Sequence, residues 1–225
     1  MRKLIFVSLF VLILQFGAVA QSFESGIKLA RVGDFENALP HFQTSIDKNL
    51  SRQKLAQIHY NIGVCFYQLK QLDKAVTEFE QAVKLNPNYE KAFYALGMAE
   101  ADLQHWSGAE KAFRQVLKLS KGRHGEAWFD LAFVYVGQKK YDEAFASFQK
   151  AINFGSKSVG ASHNNLGVIY AIKGDLQMAN KEIETAQSLG FSEAENNLAV
   201  LRKFMNLPDR TLIANLIKKE RTNEQ

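Results

Sequence analysis

A single cysteine, Cys65, in 225 residues excludes an intramolecular disulfide, so packing alone must hold the fold. Only three prolines stand against abundant alanine, leucine, lysine, glutamate and glutamine. Such a composition leaves little for tight turns between short strands and favours long helices. Charge of one sign is scarce as well. The formal charge is +5, and basic residues are interspersed with acidic ones apart from short clusters such as Lys139-Lys140 and Lys218-Lys219. No basic stripe is available for tracking phosphates, so nucleic acid is not an expected partner.

No apolar run reaches the roughly 20 residues that a membrane-spanning helix needs. The stretch from Leu4 to Leu14 follows Arg2 and Lys3, is interrupted by Gln15, and leads to a small-x-small cleavage site at Ala18-Val19-Ala20. Residues 1–20 therefore read as a secretory signal peptide cut after Ala20. Without Arg2 and Lys3, 26 basic residues face 23 acidic ones and the charge falls to +3. No cysteine beside the cut offers lipid attachment. The expectation is a periplasmic or secreted chain with no stable membrane span after cleavage, the periplasm being favoured by the short signal and the missing disulfides.

What is present is one pattern repeated five times. Ala38, Ala75, Ala109, Ala144 and Ala179 fall in one column at spacings of 37, 34, 35 and 35 residues. Four residues later stand Phe42, Phe79, Phe113, Phe148 and Ile183, and three later again Ser45, Ala82, Val116, Ala151 and Ala186. Twelve before each alanine stand Gly26, Gly63, Gly97, Ala132 and Gly167, and three before it Phe35, Leu72, Trp106, Tyr141 and Leu176. A period near 34 predicts a helix-turn-helix unit in which a small residue on the first helix lets the second approach closely.

Tyr60-Asn61-Ile62-Gly63 and Asn164-Asn165-Leu166-Gly167-Val168-Ile169-Tyr170 resemble first helices of tetratricopeptide repeats. Trp128-Phe129-Asp130-Leu131-Ala132 with Tyr135, followed by Tyr141-Asp142-Glu143-Ala144, resembles a whole repeat, and Pro87 stands where that family ends its second helix. The resemblance implies an all-α fold, a right-handed superhelix (α-solenoid) with repeats at about 22–50, 56–89, 90–123, 125–158 and 160–191. A capping helix at 193–205 follows, giving a solenoid over 21–206. Residues 207–225 read as a short helix and tail, with Leu212, Ile213, Leu216 and Ile217 on one side. The departures are Leu29 and Glu100 where the family prefers tyrosine, Ile183 for phenylalanine, and Pro40 inside a second helix, which implies a late start or a kink.

Catalytic chemistry finds no foothold in the sequence. His59 and His163 share a packing column, His41, His105 and His124 stand in unrelated registers, and no His-Glu-x-x-His or paired-cysteine spacing occurs. Cys65 lies mid-helix, where a thiol is buried and inert. The reading is a non-enzyme with no metal and no cofactor.

The family resemblance implies a concave groove lined by first helices. Tyr60, Tyr94, Phe129, Asn164 and Asn196 form one lining row, and Ile27, Val64, Met98, Phe133, Val168 and Val200 a second, about half of it core. Asn61, Asn165 and Asn197, each two residues before the small-residue column, form a ladder whose amides can pair with a peptide backbone. Of the family's carboxylate clamp only Asn61 and Lys91 are present. The expected partner is a protein or peptide of the cell envelope presenting an extended segment or an amphipathic helix. The alternative is a self-associating structural component of the envelope that docks through its C-terminal helix.

Overall fold

The computed structural model describes residues 20–205. Residues 1–19, which hold most of the expected signal peptide, and residues 206–225, with the expected short C-terminal helix, lie outside the described residues. Helix α1 covers residues 20–31 and pairs with α2 (Phe35–Thr44), and the pairs that follow are α3 (Arg52–Gln68) with α4 (Leu72–Leu85) and α5 (Glu90–Asp102) with α6 (Trp106–Leu119). Next come α7 (Gly125–Gly137), α8 (Tyr141–Asn153), α9 (Val159–Lys173), α10 (Leu176–Ser188) and α11 (Glu193–Met205). No strand occurs among the described residues, and none of their helices is long and apolar enough to cross a membrane.

The chain divides into two compact units at Leu119/Ser120. In the first, α2, α3, α4, α5 and α6 pack each on the next, and α3 also lies beside α5. The second repeats the scheme from α7 to α11, with α9 beside α11. Each unit is a run of helix pairs, the solenoid fold that the repeat period predicts.

The columns explain the packing. The five alanines and the residues four later are all buried, Phe42, Phe79, Phe113 and Phe148 completely so, and the third column from Ser45 to Ala186 is fully buried too. Close approach is enforced at the small-residue column: a Cβ at Gly63 would sit 2.6 Å from the Phe79 ring, and one at Gly97 2.7 Å from Phe113. Separations that short lie well inside the 3.5–4.0 Å optimum for carbon pairs.

One turn geometry joins the two helices of every repeat. Gly33, Lys70, Gln104, Lys139 and Gly174 all have positive φ, between 58° and 88°. The following N–H closes each helix by donating to the carbonyl five residues back: Asp34 to Leu29, Gln71 to Phe66, His105 to Glu100, Lys140 to Tyr135 and Asp175 to Tyr170. That is the six-to-one bond of the Schellman motif, which consumes an orphan carbonyl and reverses the chain.

Two departures resolve differently from expectation. The helix holding Pro40 does not start late: α2 begins at Phe35, in register with Leu72 of α4, and ends after 10 residues where α4 has 14. Proline's missing N–H removes a bond from the middle of the helix, which stops a turn early. Glu100, in a tyrosine column, is accommodated by a glycine. Its carboxylate lies against Gly108, where a Cβ would meet Oε1 at 2.5 Å, and its Oε2 is 2.9 Å from His105 Nδ1.

Candidate protein-interaction site

The candidate residues of the first unit sit on α3 and α5. The Tyr60 ring lies 6.0 Å from Phe79 and 5.2 Å from Tyr89, and the Tyr94 ring 5.7 Å from Phe113. Burial raises the Tyr60 hydroxyl above its ordinary pKa. Burial, followed by the neighbouring Tyr60, pushes Tyr89 up to about 12. Both phenols therefore stay protonated and able to donate. Tyr89, in the turn that starts α5, is absent from the sequence-derived set, although the Asn86-Pro87-Asn88 turn marks its position. The Tyr67 hydroxyl donates to Asp102 Oδ2 at 2.6 Å and ties α3 to α5. Ile27, Val64 and Met98 are all half-buried.

A cleft of about 670 Å³ is lined by residues of α4, α5 and α6. Val83, Phe93, Leu96 and Ala112 supply its apolar lining, and Lys84 and Lys111 are among its polar residues.

In the second unit the second row comes to the surface. Phe133 on α7 is 44% exposed, Val168 on α9 36% and Val200 on α11 52%. Phe129 is half-buried beneath this row, its ring 5.0 Å from Phe133 and 5.8 Å from Phe148. Asn196 is exposed one helical turn before Val200. The row thus lies open in the second unit and half-buried in the first, a split that follows the boundary at Leu119/Ser120.

The asparagines do not all face outward. Asn61 and Asn165 donate from Nδ2 to the carbonyls four residues earlier, Gln57 at 2.7 Å and Ala161 at 2.8 Å. These bonds orient the amide and leave its Oδ1 as an acceptor. Asn164 is only 6% exposed, and its Oδ1 accepts from Asn197 Nδ2 at 2.8 Å. This pair fastens α9 to α11, so Asn164 belongs to the packing between helices and not to the open face. In the same column Asn196 is exposed, so it is the bond to Asn197 that takes Asn164 out of the open face.

The histidines in the shared column make one contact twice. His59 Nδ1 lies 2.7 Å from Glu78 Oε2 and His163 Nδ1 2.7 Å from Glu182 Oε2, each joining the first helix of a repeat to its second. Cys65 is fully buried, and burial pushes its thiol up to about 11, far from the range of a nucleophilic thiolate.

Comparison with known proteins bears on these faces. Two profiles described as tetratricopeptide repeat match residues 56–89 and 94–159. Anaphase-promoting complex subunit 3 of Schizosaccharomyces pombe is 26% identical over 124 residues, 52% of this chain and 18% of the relative. A chloroplastic tetratricopeptide repeat domain-containing protein of Arabidopsis thaliana, PYG7, is 34% identical over 101 residues, 44% of this chain and 34% of the relative. The chain thus spans about a third or less of these relatives' own length. Among solved structures, MamA from Desulfovibrio magneticus RS-1 superposes with a TM-score of 0.69 at 21% identity, over 78% of this chain and 97% of that one. Identity that low speaks for the fold alone.

Proposed function

We propose, for a chain that belongs to the tetratricopeptide-repeat proteins, that this interaction module is exported and takes a peptide segment of an envelope protein on its first-helix faces. The observation that carries the binding reading is the exposed row Phe133, Val168 and Val200 with Asn196 beside it. Large apolar side chains aligned on consecutive first helices make a surface whose burial by a ligand is favourable, at roughly 0.5 to 1.5 kcal/mol for each half-exposed side chain that becomes fully covered. Asn165, its amide oriented by Ala161, presents an acceptor for a peptide N–H and confers tolerance of ligand sequence.

Export rests on the sequence of residues 1–20, and the packing is compatible with it. The first core residue, Phe23, stacks on Phe42 at 5.6 Å and would lie two residues inside a chain that starts at Gln21. N-terminal sequencing of native protein should therefore begin at Gln21, and a product retaining Met1 would refute export with cleavage.

The binding test is selection of displayed random peptides on residues 21–225. Enriched peptides would then be titrated against wild type and a Val168→Glu/Val200→Glu variant. Both residues are exposed, so helicity should persist while affinity falls by about ten- to a hundredfold. An absence of enrichment, or equal affinity for the variant, defeats the reading.

A further inference from the structure

We infer that the edge of the second unit around the start of α7 is a docking surface for an acidic peptide segment that also carries an apolar side chain. Two stretches separated in sequence form it. Residues 120–128 and 150–158 hold Lys121, Arg123, Lys150 and Lys157 against a single carboxylate, Glu126. All four cations are exposed, and the side chains of Lys121, Arg123 and Lys157 meet no carboxylate among the described residues. This surface is additional to the exposed row on the first helices and does not depend on it.

Local chemistry brings the two stretches together. Gly125, the first residue of α7, lets the turn after α8 come close, since a Cβ there would lie 2.7 Å from Ser156 N and 3.0 Å from Phe154 O. Glu126 fastens that turn: its Oε1 accepts from the Lys157 N–H at 2.5 Å and its Oε2 from the Ser156 hydroxyl at 3.1 Å. One turn along α7, the Trp128 indole donates from Nε1 to Gly122 O at 2.8 Å, and Lys150 Nζ stands 4.1 Å from the centre of the Trp128 ring. Gly125 and Trp128 are about 4.5 Å apart along the helix axis, so the anchoring points of all four cations fall within one turn of α7.

The turn that presents two of these cations has no counterpart in the rest of the array. Lys121 and Gly122 are both left-handed, with φ of 53° and 75°, and the Arg123 N–H donates to Ser120 O at 3.2 Å. Among the described residues Lys121 is the only non-glycine with positive φ outside the turns that join the two helices of one repeat. A side chain is disfavoured there, so the turn holds a lysine where its own geometry favours glycine. The corresponding Asn86-Pro87-Asn88 turn ahead of α5 carries no charge.

Charge and composition select the occupant. Glu126 turns its oxygens into the edge and leaves the cations facing outward. Ammonium groups on separate flexible stems suit carboxylates spaced along a peptide, and Phe154, 45% exposed in the same stretch as Lys150 and Lys157, gives an apolar side chain something to cover. A nucleic-acid strand calls for a longer cationic track than one helical turn supplies.

The test titrates residues 21–225 into a fluorescent dodecapeptide of aspartates and glutamates with two central leucines, read by anisotropy. Binding should weaken at least about tenfold in a Lys121→Gln/Arg123→Gln/Lys157→Gln variant, and again on raising salt from about 50 to about 500 mM. Lys150 is kept because it covers Trp128, and circular dichroism checks the folding of each variant. A Lys28→Gln/Arg31→Gln/Lys48→Gln variant loses the same charge from exposed positions of the first repeat and should bind as wild type does. Replacing the two leucines by serines should weaken binding to wild type about three- to tenfold. Equal losses in the two triple variants overturn the inference, because net charge alone would then hold the peptide. An oligothymidylate of the same charge that binds as tightly as the peptide overturns it in favour of a general polyanion site, and so does an acidic peptide that fails to bind wild type at low salt.

Discussion

The close approach of Gly97 on α5 to Phe113 on α6 can be measured by a double-mutant cycle. A methyl at Gly97 would lie 2.7 Å from Cε1 and 2.9 Å from both Cδ1 and Cζ of Phe113, close to 1 Å inside the optimum for carbon pairs. Phe113 cannot swing away freely, because it is fully buried and its ring meets Tyr94 edge-on at 5.7 Å. Gly97→Ala gains about 1 kcal/mol of helix propensity and loses about 1 to 3 to overpacking, so it should destabilise by about 1 kcal/mol. Phe113→Ala should cost about 3 to 5 kcal/mol through lost burial and the cavity left behind. With the ring gone the methyl enters empty space, so Gly97→Ala added to Phe113→Ala should stabilise by about 1 kcal/mol, giving a coupling of about 2 kcal/mol. Urea unfolding of the four proteins, followed by circular dichroism, reads all terms. If Gly97→Ala has the same sign in both backgrounds, the approach of these helices does not depend on the ring and the reasoning fails.

Three further outcomes follow from individual contacts. Lys70, Gln104 and Lys139 occupy the left-handed region that glycine adopts without strain, so each change to glycine should stabilise by about 0.5 to 1 kcal/mol, seen as a rise in melting temperature, while Gly174→Ala should lower it. Asn197→Ala should cost about 1 to 3 kcal/mol in urea unfolding, because it strips the buried Asn164 of its donor, whereas Asn61→Ala removes only a bond to its own helix and should cost about 0.5 kcal/mol. Cys65, its thiol raised to about 11 by burial, should resist a disulfide exchange reagent at pH 8 until the protein unfolds. Since that pKa is raised from 9.0 in the folded state, the associated stability is present below pH 9 and is lost as pH rises towards 11.

The repeat scaffold was readable because every column is a local rule applied five times: a small residue, a large one sixteen positions on, and a period that brings them together. Phe42, Phe79, Phe113 and Phe148 could be placed in the core without knowing how the array bends. Glu100 was visible as a departure, and the compensation was available as well, since Gly108 follows eight residues later. Exposure of the second row was not readable. Val64 and Val168 are the same residue type in the same column, yet one is half-buried and the other more open, because exposure depends on neighbouring helices that the column does not specify. Asn164 was misplaced for a related reason. Its column-mate Asn196 is exposed, and Asn164 is buried because the Asn197 amide on the neighbouring helix binds it.

In a repeat array, scaffold and site differ in how their contacts recur from one repeat to the next. A contact that recurs at the same places in different repeats performs a task that every repeat has in common, which is packing. The pairs His59–Glu78 and His163–Glu182 belong there despite their chemistry, as do the turn residues with positive φ. A ligand, by contrast, meets one stretch of the array and has no reason to treat all repeats alike. The residues to attend to are therefore those whose environment differs from that of their column-mates. Phe133, Val168 and Val200 meet that criterion through exposure, and each is apolar where a solvated first-helix face would favour a polar side chain. Keeping the exposed part of three such residues in water forgoes burial worth about 0.5 to 1.5 kcal/mol apiece, since each is already about half covered. That loss is recovered only when something covers them, which is why the occupant of this face is the question on which the protein's action turns.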